Sequence, residues 1–252
     1  MKTTGNTILI TGGATGIGLA TATAFVNAGN DVIICGRRAE KLQEAQDLLP
    51  SIQTRACDIS SADDRAALFE WVSNTFGNLN ILINNAGIQR MIDLTKGEED
   101  LLDPAWGDEI DINFKATVFL SAKFIPVLAA QEESAIINVS SALGWIPISV
   151  MPVYCATKAA IHSFTMSLRH QLRKTSIKVI EVIPPTVDTE LDRGARAERG
   201  QQDLGIPASE VADALLAGME NENFEICVGR AQGLKDGSQQ DFESMFRNMN
   251  RY

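Results

Sequence analysis

A five-residue apolar run, Thr7–Thr11 (TILIT), passes straight into glycines at 12, 16 and 18 and then into a second apolar stretch over residues 17–28. A strand that turns on glycine into a helix cannot bury its faces alone, so it commits the chain to more of the same unit. The pattern repeats along the sequence. Residues 31–35, 52–57, 79–84, 135–140, 177–183 and 224–228 read as strands, with helices over 39–49, 62–76, 106–131, 153–175 and 207–220. Most strand segments are apolar nearly throughout rather than alternating, which marks a parallel sheet covered on both faces. Ser60 or Ser61 is placed to cap the helix over 62–76, and Pro50 to end the one before it.

The expected fold is therefore α/β: a single-domain Rossmann fold over residues 1–252, with a doubly wound parallel sheet of about seven strands and helices on both faces. No internal repeat, low-complexity tract or linker divides it. Two segments depart from the pattern. Residues 188–205 are polar, carry both charge signs and hold Gly194, Gly200 and Gly205, so a mobile loop closing over a substrate is expected. Residues 238–252 set Phe242, Met245, Phe246 and Met249 at helical spacing, an amphipathic C-terminal helix for its own subunit or for dimerisation.

Charge limits the partners. A net charge of −10 argues against nucleic acid and against an anionic membrane surface, since both select basic patches. Any bound polyanion must then be held by local positive charge or by backbone N–H groups. Cys35, Cys57, Cys155 and Cys227 are far apart with no C-x-x-C pair, the usage of free thiols in a reducing compartment. No apolar signal stretch opens the chain, and no run approaches the ~18 apolar residues of a membrane span. The expectation is a cytoplasmic protein with no membrane partner.

The turn Gly12-Gly13-Ala14-Thr15-Gly16-Ile17-Gly18 departs from the usual G-x-G-x-x-G dinucleotide fingerprint but supplies the same parts. One glycine makes the tight turn, one admits a pyrophosphate to the backbone, and one lets helix and strand approach. The helix start then offers unpaired N–H groups to phosphate. After the second strand come Arg37 and Arg38, where an NAD binder tends to carry a carboxylate for the ribose. Guanidinium forks suit a 2′-phosphate, so the pair points to NADP(H) over NAD(H). The plainer alternative is two solvated residues at a helix start, near Glu40.

Tyr154 and Lys158 stand four apart, on one face of the helix over 153–175. A free phenol titrates near ~10. An ammonium one turn away favours the phenolate, so the pair can exchange a proton with a carbonyl or alcohol. Ser141 follows the fifth strand directly, and ligands of open parallel sheets lie beyond the carboxyl ends of the strands. The three side chains can converge there.

Together, Thr11–Gly18, Asn84-Asn85-Ala86-Gly87, Ser141 and Tyr154-x-x-x-Lys158 resemble the short-chain dehydrogenase/reductase family over nearly the whole chain. The resemblance implies hydride transfer between a nicotinamide cofactor and a small-molecule carbonyl or alcohol. Tyr154 would be the acid/base, and Lys158 its tuner and a ribose ligand. Ser141 would hold the substrate oxygen, and Asn113 a relay water. It also implies cofactor contacts from Gly12, Thr15, Gly16, Ile17, Gly18, Asp58, Asn85, Ala86 and Gly87, with Val187 and Thr189 docking the carboxamide. Assembly as a homodimer or homotetramer is implied as well. One departure is Pro184-Pro185 where the family has Pro-Gly; a proline at 185 cannot take positive φ and gives no N–H.

Other readings are weaker. Only His162 and His170 are present, without a metal-binding spacing, so no metal is expected and His162 reads as a hydrogen-bonded structural residue. The sequence around Ser141 lacks the G-x-S-x-G elbow of a serine hydrolase. A cofactor-binding sensor on the same fold, with little turnover, stays open. Expected pocket residues are Gln89, Arg90, Met91, Leu143, Trp145, Pro147 and Met151; Arg90 or Arg193 is available to an anionic group, with solvated surface arginines the plainer reading.

Overall fold

Strand geometry sends successive side chains to opposite faces. In the computed structural model of the chain, which describes residues 1–99, 105–191 and 205–251, both faces are covered. The strands are β1 (Thr7–Thr11), β2 (Asp31–Gly36), β3 (Gln53–Ala56), β4 (Ile81–Asn84), β5 (Ser134–Val139), β6 (Ile177–Ile183) and β7 (Glu225–Cys227). They form one parallel seven-stranded sheet in the order β3-β2-β1-β4-β5-β6-β7. The order reverses between β1 and β4, which opens a crevice at their carboxyl ends.

The helices are α1 (Gly16–Asn27), α2 (Ala39–Leu48), α3 (Ala62–Thr75), α4 (Ala105–Ile110), α5 (Ala116–Ala129), α6 (Pro152–Gln171), α7 (Ala208–Glu220), α8 (Ala231–Gln240) and α9 (Phe242–Met249). Ile8, Ile10 and Ile34 meet α1, α2 and α7 through Phe25, Leu42 and Leu215. Leu9, Ile33 and Leu82 meet α3, α5 and α6 through Leu68, Phe124 and Leu168. Each such side chain taken fully out of water contributes roughly 1.5–3 kcal/mol. Ser61 is the cap of α3, accepting from the Asp64 N–H at 3.2 Å.

The structure corrects several boundaries. The helix expected over 106–131 is interrupted by a wide i→i+5 turn, Asp111–Lys115, between α4 and α5. Contrary to the sequence expectation, Asp108–Ala129 is long and apolar enough to cross a membrane, with mean hydropathy 1.4. Its apolarity has another use here, because Leu120, Phe124 and Leu128 are buried in the core. The C-terminal helix is shorter than 238–252: Asp241 breaks the path between α8 and α9 and caps α9, accepting from the Ser244 N–H at 3.0 Å. In the loop expected over 188–205, residues 192–204, Arg193 among them, lie outside the described residues.

Candidate active site

The glycine turn is locked to β4. Thr11 Oγ1 accepts from the N–H groups of Asn85 and Ala86, at 3.0 and 3.1 Å. Asn85 Nδ2 donates back to the carbonyls of Thr11 and Gly12, at 2.9 and 3.2 Å. Gly12 has φ +64°, and a Cβ there would come 2.8 Å from Ala86 Cα. At Gly18 the reason for glycine is approach rather than φ: a Cβ would sit 2.2 Å from the Gly12 carbonyl oxygen. Thr15 heads α1 without a side-chain cap, and no acidic residue stands in the first turn. The first N–H groups of a helix have no partner within it, so this end is suited to an anion.

Arg37 and Arg38 border the same crevice at the end of β2, and Arg38 Nη1 lies 3.4 Å from Glu190 Oε2. Asp58 Oδ1 accepts from Ser60, at 2.9 Å from its N–H and 2.7 Å from its hydroxyl. Thr189 packs on the glycine turn: a Cβ at Gly16 would meet its Cγ2 at 3.1 Å. Val187 is buried and pairs with Ile206 in an isolated parallel bridge. Pro185 is therefore accommodated, with the backbone around it held by Ala142 N–H donating to the Pro184 carbonyl (3.0 Å) and Ile206 N–H to that of Thr186 (3.1 Å).

On the other side of the crevice stand Ser141, Tyr154 and Lys158, all buried. Ser141 Oγ accepts from the Leu143 N–H at 3.1 Å. Lys158 Nζ donates to the Val139 carbonyl at 2.9 Å and lies 5.6 Å from the Tyr154 ring centroid. Burial pulls the Lys158 ammonium down to about 8, against an opposing pull from Glu109. Asn113 lies in the wide turn and is buried behind this wall. Its amide is fully committed: Oδ1 accepts from the Ile88 N–H (2.8 Å), and Nδ2 donates to the Ile88 carbonyl (2.9 Å) and Thr157 Oγ1 (3.1 Å). The Asn113 side chain thus fixes the loop after β4 to α6.

A buried carboxylate ties the two catalytic elements together. Glu181 on β6 accepts from Ser140 Oγ at 2.5 Å, and its other oxygen lies 2.8 Å from His162 Nδ1. His162, one turn beyond Lys158, packs against Trp145 with ring centroids 4.2 Å apart and the rings inclined at 53°. A carboxylate inside the apolar run IKVIEVI was the visible signal of such a partner.

Glu109 was not anticipated. It is 0% exposed, accepts from the Arg90 N–H at 3.3 Å through Oε1, and leaves Oε2 without a hydrogen-bond partner. Burial pushes its carboxyl up to about 7, opposed by the Arg90 N–H and the charges of Arg90 and Lys158. In the sequence it is one of three acidic residues in a row of four, with Asp108 and Asp111, and nothing local marks it as the buried one.

Of the expected site residues, all but Gly18 and Asn113 line one cavity of about 980 Å³. Gln89, Arg90 and Leu143 line it as expected, but Met91, Trp145, Pro147 and Met151 do not. Met91 points outward, Trp145 packs beside Ala142 and Ile183, Met151 is buried against Tyr154, and the Pro147 carbonyl accepts from Asn250. Their places are taken by Ile148, Val150, Leu234, Asn248, Met249 and Arg251, three of them from the C-terminal segment.

Known proteins resemble this chain in sequence and in fold. The family model described as short chain dehydrogenase matches residues 6–200. DltE, an uncharacterized oxidoreductase of Bacillus subtilis (strain 168), is 49% identical over 250 residues, 99% of this chain and 98% of its own. A short chain dehydrogenase from Burkholderia cenocepacia, solved in complex with NADP, aligns with a TM-score of 0.85 and 27% identity over 100% of both chains. One from Burkholderia phymatum, in complex with NAD, gives 0.87 at 21% identity over 97% of this chain and 96% of its own, a likeness of fold alone.

Proposed function

The chain belongs to the short-chain dehydrogenase family, and from that premise we propose an oxidoreductase that moves a hydride between NADP(H), in preference to NAD(H), and a carbonyl or secondary-alcohol carbon. The observation that carries this reading is the common cavity, which joins the uncapped start of α1 and the Arg37–Arg38 pair to Ser141, Tyr154 and Lys158. The crevice fits a dinucleotide, since the positions where a side chain would block the turn are Gly12 and Gly18.

When bound, the nicotinamide ring gives or takes the hydride. Thr15, Gly16 and Ile17 would receive the pyrophosphate, Asp58 the adenine, Asn85–Gly87 and Lys158 the ribose side, and Val187 and Thr189 the carboxamide. Arg37 and Arg38 would hold the 2′-phosphate, which then competes with Glu190 for Arg38.

In the direction of reduction, the Tyr154 hydroxyl gives its proton to the substrate oxygen while the Ser141 hydroxyl donates a hydrogen bond to that oxygen. The Lys158 ammonium, fixed by the Val139 carbonyl, stabilises the charge left on the phenol oxygen. Any relay role of Asn113 belongs to its main chain, because its amide is already bonded. Exposed Phe119 on α5 and Met166 on α6 give a face for a homodimer or homotetramer, and the four free cysteines suit the cytoplasm.

The test is Tyr154→Phe, assayed against a panel of ketones and alcohols. Turnover should fall by roughly 10²–10⁴-fold with NADPH affinity preserved. Wild-type activity in that variant would sink the mechanism. Tight NADPH binding by the native protein with no turnover across the panel would instead favour the sensor.

A further inference from the structure

Beyond Ser141 and Tyr154 the cavity continues into a chamber walled by Leu143, Ile148, Val150, Leu234 and Met249. Three arginines border it: Arg90, Arg230 and Arg251. Each lies in or beside a segment anchored near the catalytic residues. The segment after Arg90 is held where the Ile92 N–H donates to the Val150 carbonyl at 3.1 Å. Arg251 follows Asn250, whose Oδ1 accepts from the Ser149 N–H at 2.5 Å and whose Nδ2 donates to the Pro147 carbonyl at 3.1 Å. Arg90 and Arg251 thus flank the one segment that links Ser141 to Tyr154. Arg230 Nη2 donates to Thr186 Oγ1 at 2.8 Å, two residues past the Pro184 carbonyl that receives the Ala142 N–H.

The charge balance of this chamber is the opposite of the protein's. The chain carries −10 overall, yet among the described residues the carboxylates lining the cavity are Asp58 and Glu190. Both belong to the end near Arg37 and Arg38, where Glu190 pairs with Arg38 and Asp58 with Ser60. Glu109, which accepts from the backbone N–H of Arg90 and feels the charges of Arg90 and Lys158, does not line the cavity. Among the described residues none of the three guanidiniums is ion-paired with a carboxylate. Guanidinium forks match planar or tetrahedral oxyanions, and walls of low polarity between them strengthen the attraction.

The geometry points to a substrate that bears a carboxylate or phosphate at the end of an apolar stem, with its carbonyl at Tyr154 and its anion among Arg90, Arg230 and Arg251. The inference rests on the oxidoreductase reading and narrows its substrate class.

The experiment titrates the protein–NADPH complex with a homologous series of oxo-alkanoates, their methyl esters and matched oxo-alkyl phosphates, by calorimetry and by NADPH oxidation. An acid or phosphate should bind at least about tenfold more tightly than its ester, and the ratio should fall toward one in Arg90→Gln and Arg251→Gln. The better of the two anions identifies the source of the charge. Equal binding of anion and ester by the native protein would overturn the proposal. So would variants that weaken NADPH binding and leave the anion-to-ester ratio intact, since the arginines would then serve the cofactor. Anion-selective binding without NADPH oxidation would keep the anion site and remove the oxidoreductase reading.

Discussion

Glu109→Gln isolates the least expected group in the site. The Glu109 carboxyl is pushed from its ordinary 4.5 up to about 7, first by burial. The folded protein therefore holds this proton more tightly than the unfolded chain, and stability must fall as pH rises through that window. At about 1.4 kcal/mol per unit, the whole effect is roughly 3 kcal/mol. It is fully present below pH 4.5 and lost as pH passes about 7. Lys158 carries the complementary case: its ammonium is pulled from 10.5 down to about 8, so the stability linked to it is present above 10.5 and lost as pH falls through 8. Removing the Glu109 charge leaves burial unopposed at Lys158 and lowers that value further. Both changes act in one direction. Between pH 5 and 8 the native protein should lose about 2–3 kcal/mol that the Gln variant keeps. Urea unfolding at the two pH values measures the difference of differences. Parallel loss of stability in the two proteins would refute the assignment of Glu109 as a buried, titrating carboxyl.

Two further substitutions probe the cofactor side. Gly18→Ala forces a methyl to within 2.2 Å of the Gly12 carbonyl oxygen, which is backbone and cannot swing aside. It should cost about 1–3 kcal/mol by thermal or urea unfolding and weaken dinucleotide binding, whereas an unchanged melt would deny the close approach of α1 to the turn. Glu190→Gln releases Arg38 from its 3.4 Å ion pair. NADPH affinity should rise with NADH affinity unchanged, measured by fluorescence titration; an equal change for both would show that Arg38 does not meet the 2′-phosphate.

Much of this was readable because local pattern and tertiary need coincide. Apolar runs such as TILIT had to be central parallel strands, and the glycines at 12, 16 and 18 had few other uses between a strand and a helix. The Tyr154–Lys158 spacing located a shared face, and the fifth strand located Ser141. What could not be read depends on contacts distant in sequence. Nothing near Glu109 says that it lies against Arg90, and nothing near Asn113 says that its amide is consumed by Ile88. Trp145 and Pro147 were assigned to the pocket from proximity along the chain. Trp145 packs against His162 instead, and Pro147 is a mooring for Asn250. One part of the cavity wall comes from Asn248, Met249 and Arg251, far along the chain from Tyr154, and no local pattern announces that return.

The wide turn at Asp111–Lys115 works as a phase corrector. In a regular helix each step of four residues overshoots a full circle by about 40°, so a stripe repeating every fourth position winds off its face. Yet Glu109, Asn113, Thr117 and Ser121 are all buried, as are Ile112, Ala116, Leu120, Phe124 and Leu128. One residue of slack lets both stripes stay in register with a flat wall over a span where a uniform helix would drift. Closing the turn to regular winding with all its residues kept would swing Glu109 about 100° relative to the α5 anchor, whereas a single deletion within 111–115 removes the slack residue and leaves the two flanks in phase. A single deletion in this turn should therefore be tolerated better than one in the regular winding of α5, where it would turn Leu120, Phe124 and Leu128 out of the core.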